Sequence, residues 1–482
     1  MNRVATFAAL LVSASPLSAF AQQAPWGAPD QPITHRDRIY AAEQYSNTLS
    51  VTDPVDNKLI GVIKLGDPMP ANLSALYKGQ VLVHGLGFSP DGKTLAVISI
   101  ASNSVTFIDA GTNSVKHTTY LGRSPHEAFF TPDGKEVWVT IRGEDYISVL
   151  DPTSFKEKLR LKTPGGPGMT TFSPDGKYAY ICSSFNPELV VYDVAKRTIA
   201  GRVTQPSPFC PNIAATPDGK QVWFTLKDVG NTVVMSAAPP FNIVKVINTG
   251  PITNHVNFAR TSKGQFAYVT IGGLNQVKVF RTDDFSQVAT IPVGQLPHGI
   301  WPSGDGSKIY VGLENADALA AIDTRTNKVV AEVPIGQGPQ AIAYVSNAVV
   351  AGDGRAGLQP LGIAANTTHL TLGSPGAAAD SAPTNVTLFD QGLTQILQAS
   401  VTGLSSKKPY VLALAKMPDG SGALEPLARF TTNPAGSAVV NAVGPIRQLV
   451  DASVKKAERR FLVIVSDGEI SVHGSPVQIQ LN

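Results

Sequence analysis

The chain has 482 residues, of which 43% are hydrophobic and only 16% charged, with a formal net charge of +3. That length exceeds what one core organises and predicts two domains plus a targeting segment. The weak charge, with no basic run, gives no ground for a nucleic-acid or acidic-membrane partner.

Residues 1–21 read as a secretory signal: Arg3 supplies a positive start, 4–17 is mostly apolar, and Ala19-Phe20-Ala21 has the small-x-small form that signal peptidase cuts. The apolar stretch is too short to span a bilayer, no cysteine follows it to carry a lipid, and no later segment is apolar enough to be a membrane helix. The expectation is a mature chain beginning near Gln22, without a transmembrane segment, periplasmic or secreted. Residues 22–37 form an N-terminal extension.

From residue 38 the sequence organises itself by repetition. Ser89-Pro90-Asp91-Gly92-Lys93 recurs as Thr131-Pro132-Asp133-Gly134-Lys135, Ser173-Pro174-Asp175-Gly176-Lys177 and Thr216-Pro217-Asp218-Gly219-Lys220, then decays to Thr261-Ser262-Lys263-Gly264 and Ser303-Gly304-Asp305-Gly306-Ser307. The step is 42 residues from Asp91 to Asp133, 42 to Asp175, 43 to Asp218 and 87, two periods, to Asp305. A period of this length is that of a β-propeller blade. Within 124–163 one blade is legible: a short apolar strand at 127–131, a Pro-Asp-Gly turn, a β-branched and aromatic return at 136–141, a third strand at 145–151 and a polar outer strand at 156–161.

Innermost strands are predicted near 81–88, 127–130, 169–172, 213–215, 256–259, 299–301 and 340–344, which makes seven blades over 38–352. Residues 38–65 hold the later strands of a blade but no Asp-Gly turn before them, and the stretch after Gly338 holds a first strand alone. The ring is therefore expected to close by pairing the two ends of the domain, which removes the open edges.

Beyond Gly352 the period stops. Residues 353–383 read as a linker, rich in Ala, Gly, Ser and Thr. In 384–482 alternating apolar runs at 385–389, 394–401, 410–415, 424–430, 438–443, 461–465 and 477–481 suggest a small β-sandwich, with one helix over 446–457. Arg447, Lys455, Lys456, Arg459 and Arg460 read as a solvated face of that region, with docking to an acidic partner or the cell surface as the functional alternative. The chain beyond Gly352 has two histidines, His369 and His473, and no cysteine, so nothing in it looks catalytic.

These features resemble the YVTN-repeat, YncE-like β-propeller family. The likeness rests on Tyr268-Val269-Thr270, the Pro-Asp-Gly-Lys turns, Asn-x-Val-x-x-Asp strands such as 103–109, and blade ends at Leu65-Gly66, Leu121-Gly122, Val293-Gly294 and Ile335-Gly336. It covers about 38–352 and implies an all-β, seven-bladed propeller. It speaks weakly to function, because relatives include binding proteins, lactonases, surface proteins and cofactor-bearing reductases.

The repeat also serves as a ruler for chemistry. His84, His126 and His298 each lie seven residues before a turn aspartate, and His255 lies eight before Lys263, so all four start innermost strands at one mouth of the channel. Seven slots three residues wide would catch about 0.35 of eight histidines by chance. The remaining slots hold Gly168 or Met169, Pro211 or Asn212, and Gln340. Converging neutral imidazoles can hold copper, zinc or iron, or ligate a haem. The alternative is that they bind no cofactor and brace the ring by bonding a neighbouring blade.

Loops at the same mouth carry Glu43, Arg142, Glu144, Lys227, Asp228 and Glu314. Of these Arg142, Glu144, Lys227 and Glu314, with Gln340, are the candidates for binding a small polar molecule or a periplasmic protein partner. Cys182 and Cys210 map to that face in neighbouring blades, and export permits a disulfide between them, which over a loop of ~29 residues contributes about 3–4 kcal/mol. The sequence contains no Walker loop, Rossmann fingerprint, Cys-x-x-Cys-His, His-Glu-x-x-His or Gly-x-Ser-x-Gly. The reading is an exported binding or scaffold protein with its site at the His-lined mouth. A metal- or haem-dependent oxidoreductase or haem-handling protein is the first alternative, and a lactonase using His126 as base with Arg142 and Glu144 the second.

Overall fold

The computed structural model describes residues 32–66, 81–261, 263–362, 366–378, 383–391, 394–455, 457–469 and 475–482. The stretch expected to be a leader, most of the expected N-terminal extension, Ser262, Lys456 and His473 lie outside the described residues. No helix among the described residues is long and apolar enough to cross a membrane.

Seven four-stranded antiparallel sheets form the propeller. Their innermost strands are Val83–Phe88, Pro125–Phe130, Pro167–Phe172, Ile213–Ala215, Thr253–Thr261, Pro297–Pro302 and Pro339–Val345. Each Asp-Gly turn is built alike: the Ser89 hydroxyl donates to Asp91 Oδ1 at 2.6 Å, the same oxygen accepts the Lys93 amide at 3.1 Å, and Gly92 takes the left-handed φ of 69° that closes the turn. The asparagine that opens the third strand is also left-handed, and its side chain clips the next blade. Asn103 Oδ1 accepts the Ser124 amide at 2.9 Å and Asn275 Oδ1 accepts Leu296 at 3.0 Å.

The seventh blade joins both ends of the repeat region. Pro339–Val345 pairs antiparallel with Arg38–Glu43, which pairs with Thr48–Asp53 and then Lys58–Lys64. The start of the linker is strapped over this closure. Arg38 Nη2 donates to Asp353 O at 2.8 Å, Asn113 Nδ2 to Gly354 O at 3.0 Å, and Gln359 pairs with Val62 through both backbone groups.

The second domain is one continuous eight-stranded sheet that curls in barrel-like fashion around Leu372, Leu388, Leu397, Leu412, Leu462 and Ile464. Its two edge strands, Leu424–Thr431 and Ala438–Gly444, lie against each other. It takes one strand, Thr367–Gly373, from the stretch read as linker. Small and hydroxylated residues there mask an alternation that buries Leu370 and Leu372. The helix expected over 446–457 is confined to Arg447–Val450, because the Asp451 carboxylate accepts the amide and hydroxyl of Ser453 and turns the chain out of the helix. Of the basic residues there, Arg447 pairs with Asp390 and Asp451, Arg460 lies 3.4 Å from Glu425, and Arg459 stacks on Phe461.

This sheet docks on the propeller mouth that carries the histidines. The Tyr45 ring packs at a tilt against Phe389 with centroids 4.4 Å apart, and Gln398 Nε2 donates to the Tyr45 hydroxyl at 2.8 Å. Thr387 Oγ1 donates to Asn315 O, Asn385 Nδ2 to Asn275 Oδ1, and the Ala435 amide to Asp228 O.

Candidate functional site

The four histidines sit where the inner strands break register. Pairing skips from Val83 to Leu86, from Pro125 to Ala128, from Thr253 to Val256 and from Pro297 to Ile300. A bulge frees its residues from the ladder and re-aims their side chains, here toward the channel. The second-strand threonine repairs the break. Thr270 Oγ1 accepts the His255 amide at 2.8 Å and donates to His298 O at 2.8 Å. Thr140 Oγ1 likewise accepts the Glu127 amide and donates to Gly168 O, both at 3.0 Å. The threonine of the Tyr-Val-Thr signature is thus a rivet between adjacent blades.

The imidazoles converge as two adjacent pairs. Ring centroids are 4.5 Å apart for His84 and His126, 4.6 Å for His255 and His298, and 6.5 Å for His84 and His298. His84 Nε2 lies 2.9 Å from His126 Nε2. All four rings are buried, and burial is the main cause holding each below the usual imidazole range, to about 3 for His298. Arg142 adds to this at His84 and His126, and Lys227 at His255 and His298. They are therefore neutral ligands or hydrogen-bonding groups at neutral pH.

Their outer nitrogens assign the tautomers. His126 Nδ1 faces Gly168 O at 2.8 Å and His298 Nδ1 faces Gln340 O at 2.9 Å. A carbonyl only accepts, so both Nδ1 atoms carry hydrogen and both Nε2 atoms are left with lone pairs. His255 differs. Asn212 Oδ1 accepts the Val256 amide, so its Nδ2 donates, to Met169 Sδ and to His255 Nδ1, which leaves the hydrogen of His255 on Nε2.

Sequence reasoning passed over Glu127. It shares the second bulge with His126, and its carboxylate and the two imidazoles of His84 and His126 offer ligand atoms within 4.8 Å of one another. Burial pushes its carboxyl up to about 8, opposed only by the Leu86 amide at 3.2 Å. The available signal was its offset: six residues before the turn aspartate, the other repeats carry Gly85, Met169, Asn212 and Gly299, and only this one an acid. Gln44, whose Oε1 lies 3.1 Å from His84 Nδ1, was also unmarked.

The polar candidates divide. The Arg142 guanidinium lies between the Phe185 and Phe209 rings, 5.4 and 5.5 Å from their centroids, and its buried Nε has no hydrogen-bond partner among the described residues. Glu314 is buried beside Gln340 and Gln398, with its carboxyl raised by burial and partly restored by Lys227. Lys227 is itself lowered by burial. Glu144 turns to the Arg123 amide at 3.0 Å, a bond that a lactonase arrangement with His126 would not use. Glu43 is an internal brace: it accepts the Thr48 hydroxyl and the Gly336 amide. Asp228 is held by Lys227 and Asn433. Cys182 and Cys210 are joined in a disulfide, with Cα atoms 6.0 Å apart.

Below the histidines the channel has about 40 Å³ of free space between Glu127, Met169, Asn212, His255 and Trp301. That is room for a few waters or an ion, and far too little for a porphyrin.

Among solved structures, the chain is similar to a functionally unknown protein from Desulfotomaculum acetoxidans DSM 771, at 14% identity and a TM-score of 0.53, over 64% of this chain and 98% of that one. It is also similar to Kuenenia stuttgartiensis hydrazine synthase, at 22% identity and a TM-score of 0.48, over 54% of this chain and 88% of that one. The first of these likenesses concerns the fold alone. A comparison with curated proteins finds no match. The model of one family, the YNCE-like beta-propeller, matches residues 7–350, and with its seven blades, riveting threonines and end-to-end closure the chain belongs to that family.

Proposed function

We propose that this chain is an exported binding protein whose guest sits at the histidine-lined end of the propeller channel, beneath the docked second domain. The observation that carries the reading is the convergence of four neutral, buried imidazoles from four different blades on one level of the axis. Ring bracing alone uses one nitrogen of each ring, as His126 and His298 do through Nδ1, and leaves the other facing the axis. The small cavity just below the histidines favours an ion or very small molecule over an organic cofactor there, so the haem-handling alternative gains no support from it. Export rests on the leader-like segment and is in keeping with the disulfide.

Protein purified from its native periplasm is expected to begin near Gln22 and to carry a stoichiometric guest. Metal analysis, absorption and mass spectrometry of the released fraction read the guest, and a His126→Ala/His298→Ala variant is expected to lose it. A wild-type protein that carries nothing, and whose melting temperature ignores a panel of ions and small molecules, overturns the reading.

A further inference from the structure

We propose that His84 Nε2, His126 Nε2 and the Glu127 carboxylate are the protein ligands of a divalent first-row transition-metal ion, and that His255 lies outside this set. The inference deepens the binding function above and rests on it.

The two histidine pairs look alike in spacing but differ in where their hydrogens lie. In the His255–His298 pair, Asn212 places the hydrogen of His255 on Nε2, so that pair has one donor and one acceptor facing the axis. In the His84–His126 pair, His126 is fixed by Gly168 O with its Nε2 bare, and His84 with Gln44 Oε1 as its partner is bare at Nε2 as well. Two lone pairs 2.9 Å apart repel unless something electrophilic lies against both. The Glu127 carboxylate is the third group of the cluster. It is buried, forms no ion pair within 4 Å among the described residues, and accepts one backbone amide at 3.2 Å. A single cation answers all three. Two imidazoles and one carboxylate are the donor set that first-row divalent ions such as iron(II) and zinc(II) take with coordination positions left open. The outer contacts match those of metal-binding histidines, whose second nitrogen donates to a carbonyl or amide oxygen. Gln44 is then the switch of the site. With Oε1 toward His84 the ligand tautomer is set; with its amide reversed, His84 donates to His126 and the pair is closed to metal.

One carboxylate against a divalent ion leaves a net positive centre, so the exchangeable ligand is a small anion.

The test uses the mature full-length protein, stripped with chelator and titrated separately with zinc(II), cobalt(II) and magnesium(II). One zinc or cobalt ion per chain is expected and no magnesium, and the visible bands of the cobalt form should shift when formate is added. Glu127→Gln, which keeps the side-chain shape, and His126→Ala should each weaken zinc binding by about 10- to 100-fold, and His255→Ala by less than about threefold. Melting curves establish that each variant is folded, and if His126→Ala is not, Glu127→Gln decides. Absence of stoichiometric zinc or cobalt, or a Glu127→Gln protein that binds as wild type does, overturns the assignment. If the native protein nevertheless carries a guest that His126→Ala/His298→Ala loses, the channel-binding reading stands while the metal assignment falls.

Discussion

A side-chain carbon built on Gly85 would lie 2.1 Å from His126 O and 2.7 Å from Glu127 Oε2. The inner strands of the first two blades touch through this absence, and that contact brings His84 onto His126. Because the obstacle is backbone, no rotamer change relieves it. Gly85→Ala should cost about 2 kcal/mol or more and separate the histidine pair. Gly165→Ala, where the added carbon meets nothing within 4 Å, should change stability by less than about 0.5 kcal/mol. Chemical denaturation of the two variants side by side checks this, and equal stabilities would refute it. At this scale the histidines were legible because they recur at a fixed offset from the turn, so a period locates them. Glu127 and Gln44 occur once each and were hidden. Their importance comes from contacts across blades, Gln44 with a ring 40 residues away and Glu127 with a strand 41 away, and the offset that marks Glu127 as the acid of its slot does not reveal them.

Strands declare themselves wherever the pattern is doubly specified, by alternation and by the turn that follows. That is why all seven inner strands fall near their expected positions, and why Thr367–Gly373, which has neither a repeat nor a strong apolar run, was absorbed into a linker. The short Arg447–Val450 helix shows the converse, where a basic and apolar pattern suited to a helix is cut by one aspartate that bonds its own backbone. The bridge between Cys182 and Cys210 ties the second strand of blade three to the entry of blade four, across the point where Ile213–Ala215 is the shortest inner strand of the propeller. With the cysteines 28 positions apart in sequence, the Cys182→Ser/Cys210→Ser variant should lose about 3 kcal/mol. Denaturant midpoints compared with reduced wild type test it: the two should coincide, and a variant as stable as the oxidised wild type would show that the bridge contributes nothing.

Across the whole molecule, acids are buried at the seams. Glu43 joins the closing blade to blade six, and Asp317 accepts the Gly338 amide at 3.1 Å close to the Thr367 hydroxyl of the second domain. Burial raises their carboxyls to about 7 and about 8, and the Glu43 charge adds to the rise at Asp317. An acid raised in the folded state keeps its proton where the unfolded chain has already ionised, so its stability contribution is full below about pH 4 and is lost as pH climbs through about 8. Asp317→Asn retains an acceptor for Gly338 and cannot ionise. Wild type should therefore lose stability between pH 5 and pH 9 by about a few kcal/mol more than the variant. Parallel pH profiles for the two proteins would disprove this account of the seam.

The closing strand Pro339–Val345 also sets an order of assembly. A chain emerging from a ribosome or a translocon, at ~5–20 residues per second, can stack blades one to six as they appear, but Arg38–Glu43 must wait for a partner encoded some 300 residues later. Until then Gln44, carried next to that waiting strand, has no fixed place beside His84. The histidine end of the channel is finished only when the ring is, and the strands that cover it follow immediately in the chain. For a nascent molecule, the interval between completing the ring and docking the last hundred or so residues is the window in which that end of the channel is both formed and uncovered.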